Sequence, residues 1–525
     1  MKTLFNKQCA IGNWQEDTSR CKTDHTFLLI IYCLLSVMIL SSCSVSKSSF
    51  SPKKKYSPKQ LDKDYAIFRG ALEESHPGIY WYTPKNEMDS YFDWGKSQLK
   101  DSLNEEDFRK VLSYVISKIN CGHTVTRSST AFVKYRDTST NKIFPLSLKI
   151  WPGTSPEDDT ATVAANLIRK DTILTRGVVV KKIDQQPIST IIDTLCQYIS
   201  SDGHNMTHKF QSLSNRGGFG AAFTSVFGQK ENYFIDYLGN DGMEKTATVP
   251  SYNPRADSAN RIAISRFAKT SRAERKKQII GATRNLRIDS TNSVAFMDLG
   301  SFGRSLKLKS FFRTSFKDIQ HKGTKNLVVD VRGNGGGSVT NSTFLTKFIA
   351  DRKFKVADSL YTNTRNSRYK KYIEGYFFNR LFMLFVTAKK NDGKYHFGYF
   401  ERHYFKPKKK NHFDGNVYIL TGGNSFSATT LFTQTVKPQD NVFVVGEETG
   451  GGAYGNTAWL IPDLTLPETG IRFRLPLFRL VIDKNIPKDG RGVQPEVIAV
   501  PTTEAIRRGA DYKMDKVMEL IKSHQ

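Results

Sequence analysis

From Ser293 onward the chain repeats one pattern. A short, continuously apolar run ends in glycine, and an amphipathic stretch follows. SVAFMDLGSF, NLVVDVRG, NVYILTGG and NVFVVGEE read as strands, while STFLTKFIA and SATTLFTQTV read as helices. Such alternation predicts a layered α/β domain. In an open sheet of this kind, glycine-rich strand ends face one crevice. The residues after the strands are therefore the place to look for chemistry.

The run NLVVDVRGNGGGSVTN (326–341) leads a strand into Gly-Asn-Gly-Gly-Gly. Glycines allow backbone amides to converge on one cavity. A tight turn accounts for one or two glycines, not for four in five. The loop does not fit a dinucleotide fingerprint, because Ser338 stands where the last glycine is required, and it lacks the Gly-Lys-Ser/Thr of a phosphate loop. An oxyanion hole for acyl transfer fits better. About ninety residues later, VYILTGGNSFSATTLFTQTV makes a second strand-to-helix transition. Ser427 falls at the positive end of the coming helix, which favours an alkoxide-like nucleophile. Ser425 caps the turn or lines the site.

Taken in order, DVRGNGGG, SFSATT and VVGEETGGG resemble the S41 serine peptidases, the family of the tail-specific proteases and the tricorn core. SHPGIYWYT and INCGHT resemble the N-terminal part of lipoprotein members from Bacteroidota-type bacteria. The resemblance implies a crotonase-like α/β protease domain with an N-terminal helical cap and a small PDZ-like module. It places the nucleophile at Ser427 and oxyanion amides at Ala428 and at Gly335 or Gly336. Tail-specific members carry a lysine base in Gly-Lys-Gly, but this chain reads GEETGGG there, so that dyad is absent. The tricorn-like branch uses a histidine from an N-terminal segment, which maps onto His123 in Cys121-Gly122-His123-Thr124. An ordinary histidine titrates near neutrality and suits this role. Asp489 is the candidate third residue, with Glu447 and Glu448 as alternatives. His76 reads as structural. His204 and His208 have helical ligand spacing but no third ligand and read as incidental. No metal or cofactor is implied.

The N-terminus carries an apolar run, FLLIIYCLLSVMIL (Phe27–Leu40), followed by Ser41-Ser42-Cys43. The run is short for a membrane span. It reads as a lipoprotein signal with Cys43 as the lipidated residue. Only Cys121 and Cys196 then remain, too few for a disulfide framework or a zinc site. The predicted organisation is a signal peptide at 1–43, a basic tether at 44–59 and a helical cap at 60–130. A β-rich region at 131–250 contains the PDZ-like module at about 150–215. The protease domain at 251–525 carries an aromatic, basic insertion at about 351–414, in which FFNRLFMLFVTA is a helix lying over the site or against lipid.

The chain carries 78 Lys+Arg against 50 Asp+Glu, a formal charge of +28. The basic residues are scattered and lack the aromatic interleaving of a nucleic-acid platform, which excludes DNA or RNA binding as the leading reading. The sequence thus reads as an envelope-anchored serine endopeptidase acting on peptides or proteins, with Ser427 as nucleophile and His123 as base. The rival is a non-catalytic protein of the same fold that binds peptides or hydrophobic ligands.

Overall fold

In the computed structural model the described residues are 50–138, 142–153, 160–239 and 241–524. The signal peptide and Cys43 fall outside them. Residues 51–525 form one compact unit.

The cap is helical, as the apolar spacing predicts. It comprises α1 (Pro58–Ser75), α2 (Lys85–Ser97) and α3 (Glu105–Ser117). Ser57 and Gln60 form a capping box at the start of α1, with Pro58 in its first turn. Asn104 caps α3 by accepting the Asp107 amide. The tether is shorter than expected. Lys55–Tyr56 already pair with Leu103–Asn104, and Pro58 starts a helix, so residues 55–59 belong to the folded cap.

The next region is an antiparallel sheet with helices packed on it. Its strands are β1 (Leu146–Trp151), β2 (Thr160–Asn166), β3 (Val179–Ile183), β4 (Asn232–Leu238) and β5 (Glu244–Pro250), in that order across the sheet. The strand–turn–helix read at Ile173–Ile199 is present as β3 followed by α4 (Ile188–Cys196). Helix α5 (Met206–Ser214) follows, capped by the Asn205 side chain.

The third region is a six-stranded sheet. Its strands are β6 (Arg284–Asp289), β7 (Val294–Leu299), β8 (Asn326–Asp330), β9 (Asn416–Thr421), β10 (Val442–Gly446) and β11 (Val497–Ile498). All neighbours are parallel except β6 on β7. Strands β7, β8 and β9 are buried on both faces, which explains why they read as continuous apolar runs. The amphipathic stretches form α6 (Leu308–His321), α7 (Val339–Ile349) and α8 (Ala428–Val436). Because β8, β9 and β10 run parallel, the three glycine loops leave the same edge side by side.

The insertion is not an appendage. Its strand Ser359–Thr362 pairs with Phe478–Val481, which pairs in turn with Gly455–Ala458. Residues 351–414 are therefore woven into a second sheet with the chain that follows the third glycine loop. Their apolar residues share one core with the cap, including Leu360, Met383 and Phe397 against Phe68 and Phe473.

Candidate active site

Ser427 stands between β9 and α8 with φ +58° and ψ −117°. This is a rarely populated backbone region for a residue bearing a Cβ, and holding it there costs about 1–3 kcal/mol. The Ser427 hydroxyl is not used as a helix cap. Among the described residues no hydrogen bond engages Ser427 Oγ. Ser425 does the holding instead: its hydroxyl donates to the Val331 carbonyl at 2.8 Å and accepts the Gly422 amide at 3.2 Å, tying the corner to the end of β8.

The first glycine loop lies directly against this corner. A methyl group at Gly336 would meet the Phe426 carbonyl oxygen at 2.6 Å, Ser427 Cβ at 2.8 Å and the Ala428 nitrogen at 3.0 Å. Gly336 also has φ +94°. This position requires glycine, both for space and for conformation. Its amide, however, donates to Asn334 Oδ1 at 3.0 Å. No such bond engages the amides of Gly335 and Ala428 among the described residues, and Ala428 opens α8. Geometry therefore separates the two glycines: Gly336 makes the room, and Gly335 retains a free donor. The third glycine loop closes the other side, where a Cβ at Gly451 would lie 3.0 Å from the Ser427 nitrogen.

His123 reaches the same corner from the cap. Its ring lies 4.8 Å from that of Phe426, and Gly122 packs on Phe426 so tightly that a Cβ there would come within 2.5 Å of the ring. The SHPG segment explains how the loop is held. His76 Nε2 and the Thr124 hydroxyl are 2.8 Å apart, and His76 Nδ1 accepts the Gly78 amide. Trp81 of the same segment stacks under the buried guanidinium of Arg479 at 3.6 Å. His76 is thus structural, as read.

No hydrogen bond joins His123 to Ser427. Both His123 ring nitrogens are buried without a partner. The ring is only 6 % exposed, and its pKa is pushed down to about 3 by burial, with Arg474 and His208 adding repulsion of the charged form. The expectation of a histidine titrating near neutrality fails here, because desolvation disfavours the imidazolium.

The nearest carboxylate is Asp202, which the sequence reading missed. Asp202 Oδ1 lies 3.9 Å from His123 Nδ1, just beyond hydrogen-bond reach. It is buried, accepts the amides of Gly122 and Gly452, and has its pKa raised by that burial. Asp489 is exposed, and its carboxylate accepts the Arg491 amide in a local turn. Glu447 pairs with buried Lys513 at the end of β9. Glu448 accepts from Asn205, Thr207, Arg491 and the Gly492 amide, which clamps the start of α5 to the third loop.

His208 is not incidental. It stacks on the opposite contact of Phe426 at 4.9 Å and bonds the Gly423 carbonyl oxygen through Nδ1. Asn205 caps α5 and presents one face of that helix to the β9 loop. Cys121, His123 and Asp202 place one donor atom each within 4.8 Å, which makes them a possible ligand set. Burial, with Asp202 adding to it, pushes the Cys121 thiol up to about 11. A cleft of about 350 Å³ between α3 and the second region reaches Gly122 and His208 and offers a path to this corner. A larger cavity of about 530 Å³ lies away by Ile349 and Asn441 and shares no residue with it.

Residues 293–499 match the family model of peptidase family S41. No curated protein matches the sequence. Among solved structures, mature CPAF superposes with a TM-score of 0.59 at 14% identity, covering 89% of this chain and 98% of that one. Its complex with lactacystin gives 0.59 at 14% identity, with 88% and 98% covered. A cpaf mutant gives 0.63 at 14% identity, with 89% and 97% covered. At that identity the likeness establishes the fold.

Proposed function

We propose that this chain, which carries a peptidase family S41 domain at residues 293–499, is a serine endopeptidase whose nucleophile is Ser427 and whose base is His123. The family is one of serine-type peptidases, which makes the chain a hydrolase acting on peptides or proteins. The single observation that carries the residue assignment is the strained, uncapped Ser427 packed against Gly336, with no hydrogen bond on the amides of Gly335 and Ala428 among the described residues.

In this reading Ser427 Oγ attacks a peptide carbonyl while His123 takes its proton. The Gly335 and Ala428 amides receive the developing oxyanion. His123 returns the proton to the leaving amine, and water then hydrolyses the acyl-enzyme. Asp202, rather than Asp489, orients the imidazole, because among the described residues its carboxylate is the one that faces a His123 nitrogen, at 3.9 Å. The resting site is uncoupled. Proton transfer requires His123 to come within about 3 Å of Ser427 Oγ. A modest shift of the Gly122–His123 loop would bring Nδ1 onto Asp202 and raise the imidazole's basicity. Substrate entering beside Phe426 supplies the occasion for that shift.

The second region is proposed to present a substrate C-terminus by strand addition, as a PDZ-like module does. The N-terminal run is proposed to place the enzyme in a bacterial cell envelope, anchored through lipid on Cys43. Cleavage of a denatured protein by the purified chain, with Ser427→Ala beside it, tests the activity. Products from the parent and none from the variant support the assignment. Equal cleavage by both removes Ser427 from it. The uncoupled histidine favours one alternative, a binding protein of the same fold, and peptide binding without cleavage by either protein would identify it.

A further inference from the structure

The helix that the sequence places over the site or against lipid is α9 (Tyr376–Val386), within the insertion. Its polarity is inverted relative to a helix of a globular core. Phe377, Phe378 and Phe385 are 66%, 73% and 81% exposed, and Leu381, Phe382 and Leu384 about 40%. Positions 377, 381, 384 and 385 share one helical face. Only Met383 is buried, while the polar residues turn toward the protein. Arg380 Nε donates to Asn366 Oδ1 at 2.7 Å, and Asn379 Nδ2 to the Glu374 carbonyl oxygen at 3.0 Å.

The platform is fixed at both ends. The Tyr376 hydroxyl accepts the Ser367 amide at 3.0 Å, and Arg365 Nε donates to the Thr387 hydroxyl at 3.0 Å. Exposed Lys370 and Lys371 precede it, and exposed Lys389 and Lys390 follow it. Lys390 is paired with Glu401. Within Tyr376–Val386 there is no acidic residue, although exposed Glu374 stands just before it.

The geometry points to α9 as an interfacial helix that docks on an anionic lipid bilayer. An 11-residue helix is about 16 Å long and cannot span a bilayer. A rigid helix with a phenylalanine-rich outer face and lysines at both ends lies in the plane of the interface, its rings among acyl chains and its lysines at the headgroups. Charge selects lipid over a second copy of the chain. Face-to-face pairing of two such helices would bring the flanking lysines together, whereas anionic headgroups neutralise them. This contact is independent of the peptidase reading. It adds a second attachment to any lipid on Cys43, and single attachments are marginal.

The test uses protein beginning at Ser44, which lacks Cys43 and retains the compact unit at 51–525. Sedimentation with phosphatidylcholine vesicles containing phosphatidylglycerol is compared with phosphatidylcholine alone. We expect binding to the anionic vesicles that weakens with salt. The double variant Phe377→Ser, Phe385→Ser should lower the partition coefficient on the order of a hundredfold. An unchanged circular-dichroism melt verifies that the variant folds. Lys370→Glu, Lys371→Glu should remove the preference for phosphatidylglycerol. Absence of parental binding overturns the proposal, as does full binding by the phenylalanine variant. A concentration-dependent dimer lost in that variant would also overturn it and assign the helix to a second copy of the chain.

Discussion

Ser427→Gly should make the protein more stable than Ser427→Ala while both lose activity. The argument rests on φ +58° and ψ −117° at this position. Alanine retains a Cβ and therefore retains the strain, about 1–3 kcal/mol for a residue held in so sparsely populated a region. Glycine adopts the same angles freely, although its looser unfolded chain offsets about 0.4–1 kcal/mol of the gain. The difference in favour of glycine is then about 1–2 kcal/mol. Urea denaturation of the two variants, followed by intrinsic tryptophan fluorescence, measures it directly, and neither variant retains the hydroxyl. A higher midpoint for Ser427→Gly is the expected result. Equal midpoints, or a lower one for glycine, would mean that the corner is not strained, and the structural case for Ser427 as nucleophile would fall with it.

Four further outcomes follow from the same geometry. Gly336→Ala should destabilise the fold by about 1–3 kcal/mol and abolish cleavage, because its methyl lies 2.6–3.0 Å from the Ser427 corner. Gly335→Ala meets nothing within 4 Å and should retain wild-type stability, read by the same denaturation. Asp202→Asn should lower kcat on the order of a hundredfold or more with KM little changed, since it acts on His123 and not on substrate. A KM effect alone would make Asp202 merely structural. His76 and His123 are both held down to about 3, against 6.5 for an unburied histidine. Their neutral burial leaves stability intact above pH 6.5. Below it the unfolded chain takes up protons that the folded chain refuses, so stability falls between pH 6.5 and 3 by about 1.4 kcal/mol per pH unit per histidine. Denaturation midpoints of His123→Asn should show a shallower fall, and an unchanged slope would contradict the burial.

The parallel sheet was legible because its central strands are buried on both faces and so announce themselves as unbroken apolar runs. The glycine loops were legible because few backbones need four glycines in five. The split between Gly335 and Gly336 was not, since it depends on where the Asn334 side chain turns back. Asp202 was missed, and His208 was read as incidental, for another reason. His208 meets Phe426, and Asp202 meets Gly452, only because the second region docks on the glycine loops, and no local periodicity encodes a contact across more than two hundred residues. The near-neutral expectation for His123 failed on the same ground, because burial is a property of the assembled fold. The insertion was visible as an aromatic stretch, but its pairing with Phe478–Val481 was hidden by sequence distance.

The central claim is that Ser427 is a nucleophile activated by His123. Fluorophosphonate labelling of the purified chain, with mass-spectrometric mapping of the adduct, tests it most directly beside Ser427→Ala and His123→Ala. The account predicts an adduct on Ser427 that is absent from the first variant and slowed on the order of a hundredfold or more in the second. An adduct on Ser427 that forms equally fast without His123 would contradict the assigned base, and no adduct on Ser427 in the parent protein would contradict the claim itself.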